Sequence, residues 1–415
     1  MPAAKSITEF VRNAAREAGF ELCGVAGVGD FAELKFFPEW IEAGRAGEMK
    51  YLEARDEAGQ LKRASLARAA PWARSVIVCA INYNTAEPYS TQVRDAERGW
   101  ISRYAWSRED YHDAVMRRLR VVEARLREAT ETTASVKEPR FSGVNSAQKD
   151  AGLQPPRDDG ELITRCYVDT GPLVERVYAK YAGVGWIGKN TCIINQKIGS
   201  WIFLGVILTS LEVASSEDAH DERRFAPSAP APDRCGTCTR CIEACPTDAI
   251  VAPYQLDANL CISYLTIEKR GEIPDAMRAG IGRHVFGCDI CQDVCPWNRK
   301  APATAVTEFQ PREGLVNPAL AWLAEISPEE FRDKFRSSPI RRTKRSGVRR
   351  NAVIAIGNSG NEEFVPLLEK LCGDEDEVVA ESARWALNHI SHRGEAQVVH
   401  KERGEPGAPS QRDSI

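Results

Sequence analysis

Eight of the 13 cysteines in this chain fall between Cys235 and Cys295, and their spacing constrains the fold more than any other feature. The first run reads Cys235-x2-Cys238-x2-Cys241-x3-Cys245-Pro246. The second reads Cys288-x2-Cys291-x3-Cys295-Pro296, and Cys261 stands alone between the two. Thiols clustered in this way point to metal or redox chemistry rather than to disulfides. A cubane iron–sulfur cluster needs four thiolates arriving from different directions. Two-residue gaps let a tight turn aim three of them at one cluster, while the cysteine before proline turns towards its neighbour. The spacing therefore gives Cys235, Cys238, Cys241 and Cys295 to one 4Fe–4S cluster. Cys245, Cys261, Cys288 and Cys291 go to a second. Paired CxxC motifs also bind zinc; the proline-terminated pattern of both runs argues against that competitor. The other five, Cys23, Cys79, Cys166, Cys192 and Cys372, read as small core or surface residues.

At 415 residues, 43% of them hydrophobic, the chain is too long for one core and predicts two or three domains. A net charge of −4 excludes a global polycation, so any nucleic-acid contact must come from a local basic patch. The start, Met1-Pro2-Ala3-Ala4-Lys5-Ser6, has no long apolar core, twin arginine or small-residue cleavage site. The most apolar stretch, residues 201–208, is too short to span a bilayer. The expectation is a soluble, cytoplasmic protein without a membrane partner.

Ser6 and Glu9 form a capping-box pattern ahead of a helix with Ile7, Phe10, Val11, Ala14 and Ala18 on one face, closed by Gly19. Residues 76–81 form a continuous apolar run and predict a buried strand. Asp110 opens a second helix with Val115, Leu119, Val122 and Leu126 on one face. Residues from about 130 to 160 lose periodicity and read as an inserted loop. Residues 165–169 predict a strand, Pro172 a helix start, Gly183 its end, and residues 200–209 a further buried strand. Near the C-terminus, Asn351-Ala352-Val353-Ile354-Ala355-Ile356-Gly357 is echoed 31 residues later by Ser382-Ala383-Arg384-Trp385-Ala386-Leu387-Asn388, a short HEAT-like repeat. The fold class expected is α+β, with an N-terminal α/β catalytic domain over 1–215, a linker over 216–233 and a ferredoxin-like two-cluster domain over 234–300. A helical repeat domain over 301–392 and a disordered tail over 393–415 complete it.

The order of motifs resembles the epoxyqueuosine reductase family. The resemblance rests on Ser102-Arg103-Tyr104-Ala105-Trp106 with Asp110-Tyr111-His112, and on Tyr167-Val168-Asp169-Thr170-Gly171-Pro172-Leu173-Val174-Glu175-Arg176. Gly183-Val184-Gly185-Trp186-Ile187-Gly188-Lys189-Asn190, Cys261-Ile262-Ser263-Tyr264-Leu265-Thr266-Ile267-Glu268 and Gly287-Cys288-Asp289-Ile290-Cys291-Gln292 complete it. The chain departs from the family pattern in longer connections at about 131–161 and 215–233, both outside the motifs.

The resemblance implies the last step of queuosine biosynthesis, removal of the epoxide oxygen of epoxyqueuosine in a tRNA anticodon. It implies cobalamin beside the two clusters: low-potential clusters, in a class spanning roughly −700 to +450 mV, reduce cobalt to Co(I), which attacks an epoxide carbon. By the same resemblance Asp169 is the proton donor, in a site where burial holds its carboxyl protonated. Read from the residues alone, Asp169 instead caps the helix that Pro172 opens. Tyr104 falls on the cobalt face, to assist the proton or shield the metal; its plain alternative is a half-buried aromatic. Arg63, Lys189, Ile193, Asn195 and Leu204 match the corrin-binding wall, and Ser263 and Asp289, flanking cluster ligands, fall between cluster and corrin. His112 and His284 are the candidate axial ligands, and nucleophilic Co(I) has little use for either. The letters Gly183-x-Gly185-x-x-Gly188 follow a helix rather than a strand, so they do not make a dinucleotide fingerprint.

Residues 332–350 hold nine Lys or Arg against one acid, Asp333, a net charge of +8. A run like this is ordinarily a solvated face. A tRNA partner gives it a purpose through phosphate neutralisation, with Arg341, Arg342, Lys344 and Arg345 as the expected contacts. The other partner expected is an external low-potential electron donor, and the enzyme is expected to be a monomer. Two rival readings remain: a corrinoid reductive dehalogenase-like reductase, and a non-enzymatic ferredoxin-type electron carrier.

Overall fold

The computed structural model describes residues 4–135, 162–213 and 230–402. The two long connections, expected at 131–161 and 216–233, lie outside the described residues except at their ends.

A four-stranded sheet organises the N-terminal half, in the order Leu22–Gly27, Ser75–Asn82, Ile202–Thr209, Thr164–Tyr167. Every pairing in it is antiparallel, so alternating helices and strands here build an α+β sheet and not a parallel one. Every residue of Ser75–Asn82 is buried, as its unbroken apolar run requires, because helices cover both faces. On one face lie the helices Ala4–Glu17 and Tyr111–Ser135, with Val11, Ala15, Val115 and Leu119 packed on Ile77, Cys79 and Ile207. A Cβ at Gly205 would stand 2.9 Å from the Val115 and Leu119 side chains, so only glycine lets that helix sit down on the sheet. On the other face lies the helix Glu175–Tyr181. Each large aliphatic buried this way contributes about 1.5–3 kcal/mol.

Several boundaries move. The first helix starts at Ala4, ahead of the Ser6 expected to cap it, and ends at Glu17, with the expected Gly19 turning the chain just beyond it at φ 88°, which only glycine adopts freely. Asp110 does open the long helix, its Oδ1 accepting from the His112 backbone N–H at 3.0 Å. Pro172 does not open the next helix. That helix begins at Glu175 with Val174 at its N-cap, so Asp169 is not its cap.

The two-cluster module contains a pair of one-turn helices, Arg240–Glu243 and Ile290–Asp293, packed together, and a small hairpin, Ile250–Ala252 with Gln255–Leu256. The C-terminal helices Leu320–Glu325, Lys344–Ser359 and Glu377–Glu402 pack against one another, with Lys344–Ser359 central. Its residues from Val348 to Gly357 are all buried, the mark of a helix surrounded by protein. The echoed motifs meet: a Cβ on Gly357 would stand 2.9 Å from Ala386. The last helix carries the chain past His392, where the sequence reading ended the fold, to Glu402. This repeat does not stand apart. Its core is continuous with Ile101, Trp106, Ile267, Val285 and Phe286. His284–Phe286 also pairs in parallel with Trp100–Ile101, joining the cluster module to the N-terminal domain.

Candidate active site

The cluster loops are shaped by backbone turns. Gly236, at φ 51°, turns the chain between Cys235 and Cys238, and the Cys238 N–H closes on the Cys235 carbonyl at 3.0 Å. Cys261 is the N-cap of the helix Ile262–Ile267. The Ala249 N–H points at Cys245 Sγ at 3.3 Å.

The eight thiols sort into two neighbourhoods. Cys241 is pushed up to about 11, first by burial and then by the charges of Cys235, Cys295 and Cys238. Cys261 is raised by burial and by Cys245, and Cys288 by burial and by Cys261. Cys291 is raised chiefly by a hydrogen bond with Cys192, with burial, Cys288 and Cys261 adding to it. Cys241 thus lies near Cys235, Cys238 and Cys295, and Cys261 near Cys245, Cys288 and Cys291. Buried thiolates that repel one another require a cationic core to hold them ionised, and such binding releases protons.

The second quartet opens on a cavity of about 360 Å³. Cys245, Cys261, Cys288 and Cys291 form part of its wall, and Asp169, Tyr104, Tyr111 and Glu175 also line it. Ile193, Ile202, Phe203 and Leu204 give it an apolar side; Ser263, Asn190 and Thr191 give it polar edges.

Asp169 follows the Thr164–Tyr167 strand at φ 61°, a conformation unusual for a residue with a side chain. Its Oδ2 accepts a hydrogen bond from the Tyr111 hydroxyl. The Tyr111 ring stacks on Phe203 at 4.4 Å and meets the edge of Tyr104 at 5.8 Å. Burial raises both phenols, and the charge of Asp169 raises them further, so both stay protonated as donors. Asp289 is buried and holds the Tyr104 segment against the cluster loop. It accepts from Ser102 Oγ and from the Arg103 backbone N–H at 2.6 Å. Ser263 Oγ reaches the Cys288 carbonyl at 3.5 Å.

Not every expected residue reaches this cavity. Ile193, Leu204, Ser263 and Asp289 line it. Lys189 does not: its Nζ donates to the Gly236 and Cys238 carbonyls at 2.7 and 3.0 Å, bracing the first cluster loop. Asn195 does not either, since its amide donates to the Val184 carbonyl and its oxygen accepts from Lys197 N. Arg63 sits on the one-turn helix Lys62–Ala64 near Glu175 without lining the cavity. Neither His112 nor His284 is in its lining. His284 is buried with Nδ1 2.7 Å from the Ile281 carbonyl, and burial drives it down to about 4. Gly185 and Gly188 serve the Trp186–Ile187 and Ile193–Ile194 hairpin, where a Cβ on either would strike Ile194. Tyr111 and Glu175 were in the matched motifs, but nothing in the sequence distinguished them as cavity residues.

A second cleft, about 580 Å³, shares Tyr104 and Tyr111 with the first and is lined by His112, Phe331, Arg336, Arg341, Arg342 and Lys344 among others. The basic segment therefore splits. Arg341, Arg342 and Lys344 are exposed on this cleft, although Arg342 also pairs with Glu268 at 2.6 Å. Arg345 is half-buried and donates to the Ile326 carbonyl. Arg349 and Arg350 are buried: Arg349 pairs with Asp374, and Arg350 donates to the Leu265, Lys269 and Gly271 carbonyls.

A double-cluster module with one thiol quartet walling a cavity, and a carboxylate in that same cavity, defines a redox enzyme fed through iron–sulfur clusters. Residues 234–298 match the 4Fe-4S double cluster binding domain model, and residues 317–398 match the HEAT repeats model. Residues 63–138 match the model described as Epoxyqueuosine reductase QueG, DUF1730. An epoxyqueuosine reductase of Pseudomonas aeruginosa is 36% identical over 387 residues, 92% of this chain and 94% of the relative. One of Synechocystis sp. is 39% identical over 315 residues, 75% of this chain and 91% of the relative. The crystal structure of an epoxyqueuosine reductase with an epoxyqueuosine-modified tRNA-Tyr stem loop is similar at a TM-score of 0.74 and 27% identity, covering 97% of this chain and 96% of that one. The chain belongs to the epoxyqueuosine reductase family. Among the described residues, no helix is long and apolar enough to cross a membrane.

Proposed function

We propose that this protein reduces epoxyqueuosine to queuosine in the anticodon loop of a tRNA, working in the cytoplasm as a monomer with electrons from an external low-potential donor. The observation that carries this reading is the shared cavity: Cys245, Cys261, Cys288 and Cys291 lie in one lining with Asp169 and Tyr104. Cys235, Cys238, Cys241 and Cys295 ligate the first 4Fe–4S cluster and the cavity quartet ligates the second.

A corrin presents an apolar face and an amide rim. The apolar side formed by Ile193, Ile202, Phe203 and Leu204, and the polar edge at Asn190, Thr191 and Ser263, fit cobalamin. When bound there, cobalamin supplies a reducible cobalt able to act as a nucleophile.

The chain's own residues do the rest. Asp169 delivers the proton to the opened epoxide oxygen, and Tyr111 fixes the direction in which it points. Tyr104 and Tyr111 border both cavities, while Asp169 is exposed rather than buried as the resemblance led one to expect. Arg341, Arg342 and Lys344 hold anticodon-stem phosphates along the second cleft while the modified base is splayed into the first.

The test is direct. Anaerobically reconstituted protein, given cobalamin, a low-potential reductant and epoxyqueuosine-tRNA, is expected to yield queuosine on nucleoside analysis. Cluster-loaded, cobalamin-bound protein that leaves the epoxide intact would overturn the reading.

A further inference from the structure

Removing an epoxide oxygen as water breaks two C–O bonds, forms one C=C bond and forms two O–H bonds. It consumes two electrons, which the external donor supplies through the clusters, and two protons. One carboxyl, Asp169, holds only one of those protons.

The cavity contains a second carboxyl that the reaction as described does not use. Glu175 is the first residue of the helix Glu175–Tyr181 and lines the cavity together with Asp169. Both carboxyls belong to one cavity wall, and the Asp169 charge acts on Glu175. Its Oε1 is buried and has no hydrogen-bond partner. An ionised carboxylate left in that state is costly, and a protonated one much less so. The cations that face it do not neutralise it by pairing. Arg176, next to it on the helix, donates its guanidinium to the Thr191 carbonyl at 2.9 Å. Arg63 approaches from the Lys62–Ala64 turn and opposes the shift without overcoming it.

We propose that Glu175 carries the second proton of the reaction and delivers it through Asp169. This rests on the epoxide reduction proposed above and deepens it. Asp169 gives its proton to the opened oxygen, Glu175 reprotonates Asp169, and the second transfer lets the oxygen leave as water. Solvent protons then restore Glu175. Burial first, and the Asp169 charge second, push the Glu175 carboxyl up to about 8, so it is protonated at neutral pH while remaining able to give its proton up.

Two measurements test this. Infrared difference spectroscopy of the protein at rest should show a protonated-carboxyl C=O band at neutral pH that titrates away near pH 8. Glu175→Gln should remove one component of that band, and Asp169→Asn should leave that component in place. In turnover, Glu175→Gln keeps the size and shape of the side chain but has no proton to give. It should lower kcat on the order of 10²-fold, with KM for tRNA and iron content unchanged, and abolish the fall in rate above about pH 8. Glu175→Asp should recover part of the rate. A wild type without the band, or a Glu175→Gln enzyme with wild-type kcat and pH profile, would overturn the proposal. Should no variant and no wild type form queuosine, the assigned reaction fails, and the band component lost in Glu175→Gln still decides whether Glu175 holds a proton.

Discussion

The Tyr111 hydroxyl donates to Asp169 Oδ2 across 58 residues of sequence, tying the first turn of a long helix to the loop that leaves the sheet. The bond joins two rigid supports. Tyr111 is fixed by stacking on Phe203, and Asp169 hangs from the edge strand at a left-handed backbone angle that aspartate adopts more readily than most side chains. The acid is thus aimed by a neighbour that sequence distance concealed.

Asp169→Asn preserves shape and should keep both clusters while losing about 10²- to 10⁴-fold in turnover, the range for a positioned proton donor. Tyr111→Phe should lose less, because the acid survives and only its aim loosens. Single-turnover rates on epoxyqueuosine-tRNA distinguish them. A wild-type rate for Asp169→Asn would make the residue a loop turn and nothing more.

Cys241→Ala and Cys261→Ala should damage different clusters. Only the second should alter the cavity, since Cys261 lines it and Cys241 does not. Electron paramagnetic resonance of the reduced proteins, together with cobalamin retention, checks this. Equal loss of cobalamin in both would show that the two quartets are not separate.

Charge in residues 332–350 should act in two ways. Neutralising Arg341, Arg342 and Lys344 should raise KM for tRNA and flatten its dependence on salt, because fewer counterions are released. Arg349→Met should leave the salt slope alone and destabilise the fold by about 1–3 kcal/mol, since it removes the partner of the half-buried Asp374. The salt slope of the triple variant, set beside the denaturation midpoint of Arg349→Met, separates the roles.

The same ion pair makes acid stability testable. The hydrogen bond from Arg349 is the first cause holding Asp374 below its usual range. Its contribution is therefore complete above the unfolded aspartate pKa of about 3.9 and is lost as pH falls through the lower folded value. Asp374→Asn should remove that part of the acid dependence and lower stability at neutral pH. A wild-type slope in acid urea titrations of the variant would contradict it.

The double-cluster module was legible because ligand spacing is local and the turns that aim thiols are short. The buried strand at 76–81 and the echoed repeat were legible for the same reason. Direction was not. Lys189 and Asn195 lie in a motif beside the cavity, yet both side chains answer backbone carbonyls elsewhere. Pro172 looked like a helix start because proline suits that position, but it equally suits the turn before Leu173, which is buried and delays the helix to Glu175. The sheet order, with Thr164–Tyr167 added beyond Ile202–Thr209, depends on pairings that no window of sequence contains. Arg349 and Arg350 were counted with the solvated cations, though Val348, Ala352 and Val353 beside them signalled a buried helix.

Arg350 and its neighbour Asn351 together donate to the carbonyls of Leu265, Thr266, Lys269, Gly271 and Val285, all within the stretch that runs from Cys261 to Cys288. Cutting the chain ahead of the helical repeat would leave those carbonyls unsatisfied around the ligands of the cavity-side cluster, each at a cost of about 1–3 kcal/mol. The repeat is therefore not an appendage that recombination can exchange for another RNA-reading module. The helical repeat and the cluster loops are bonded into one body, so a change in the packing of one reaches the other.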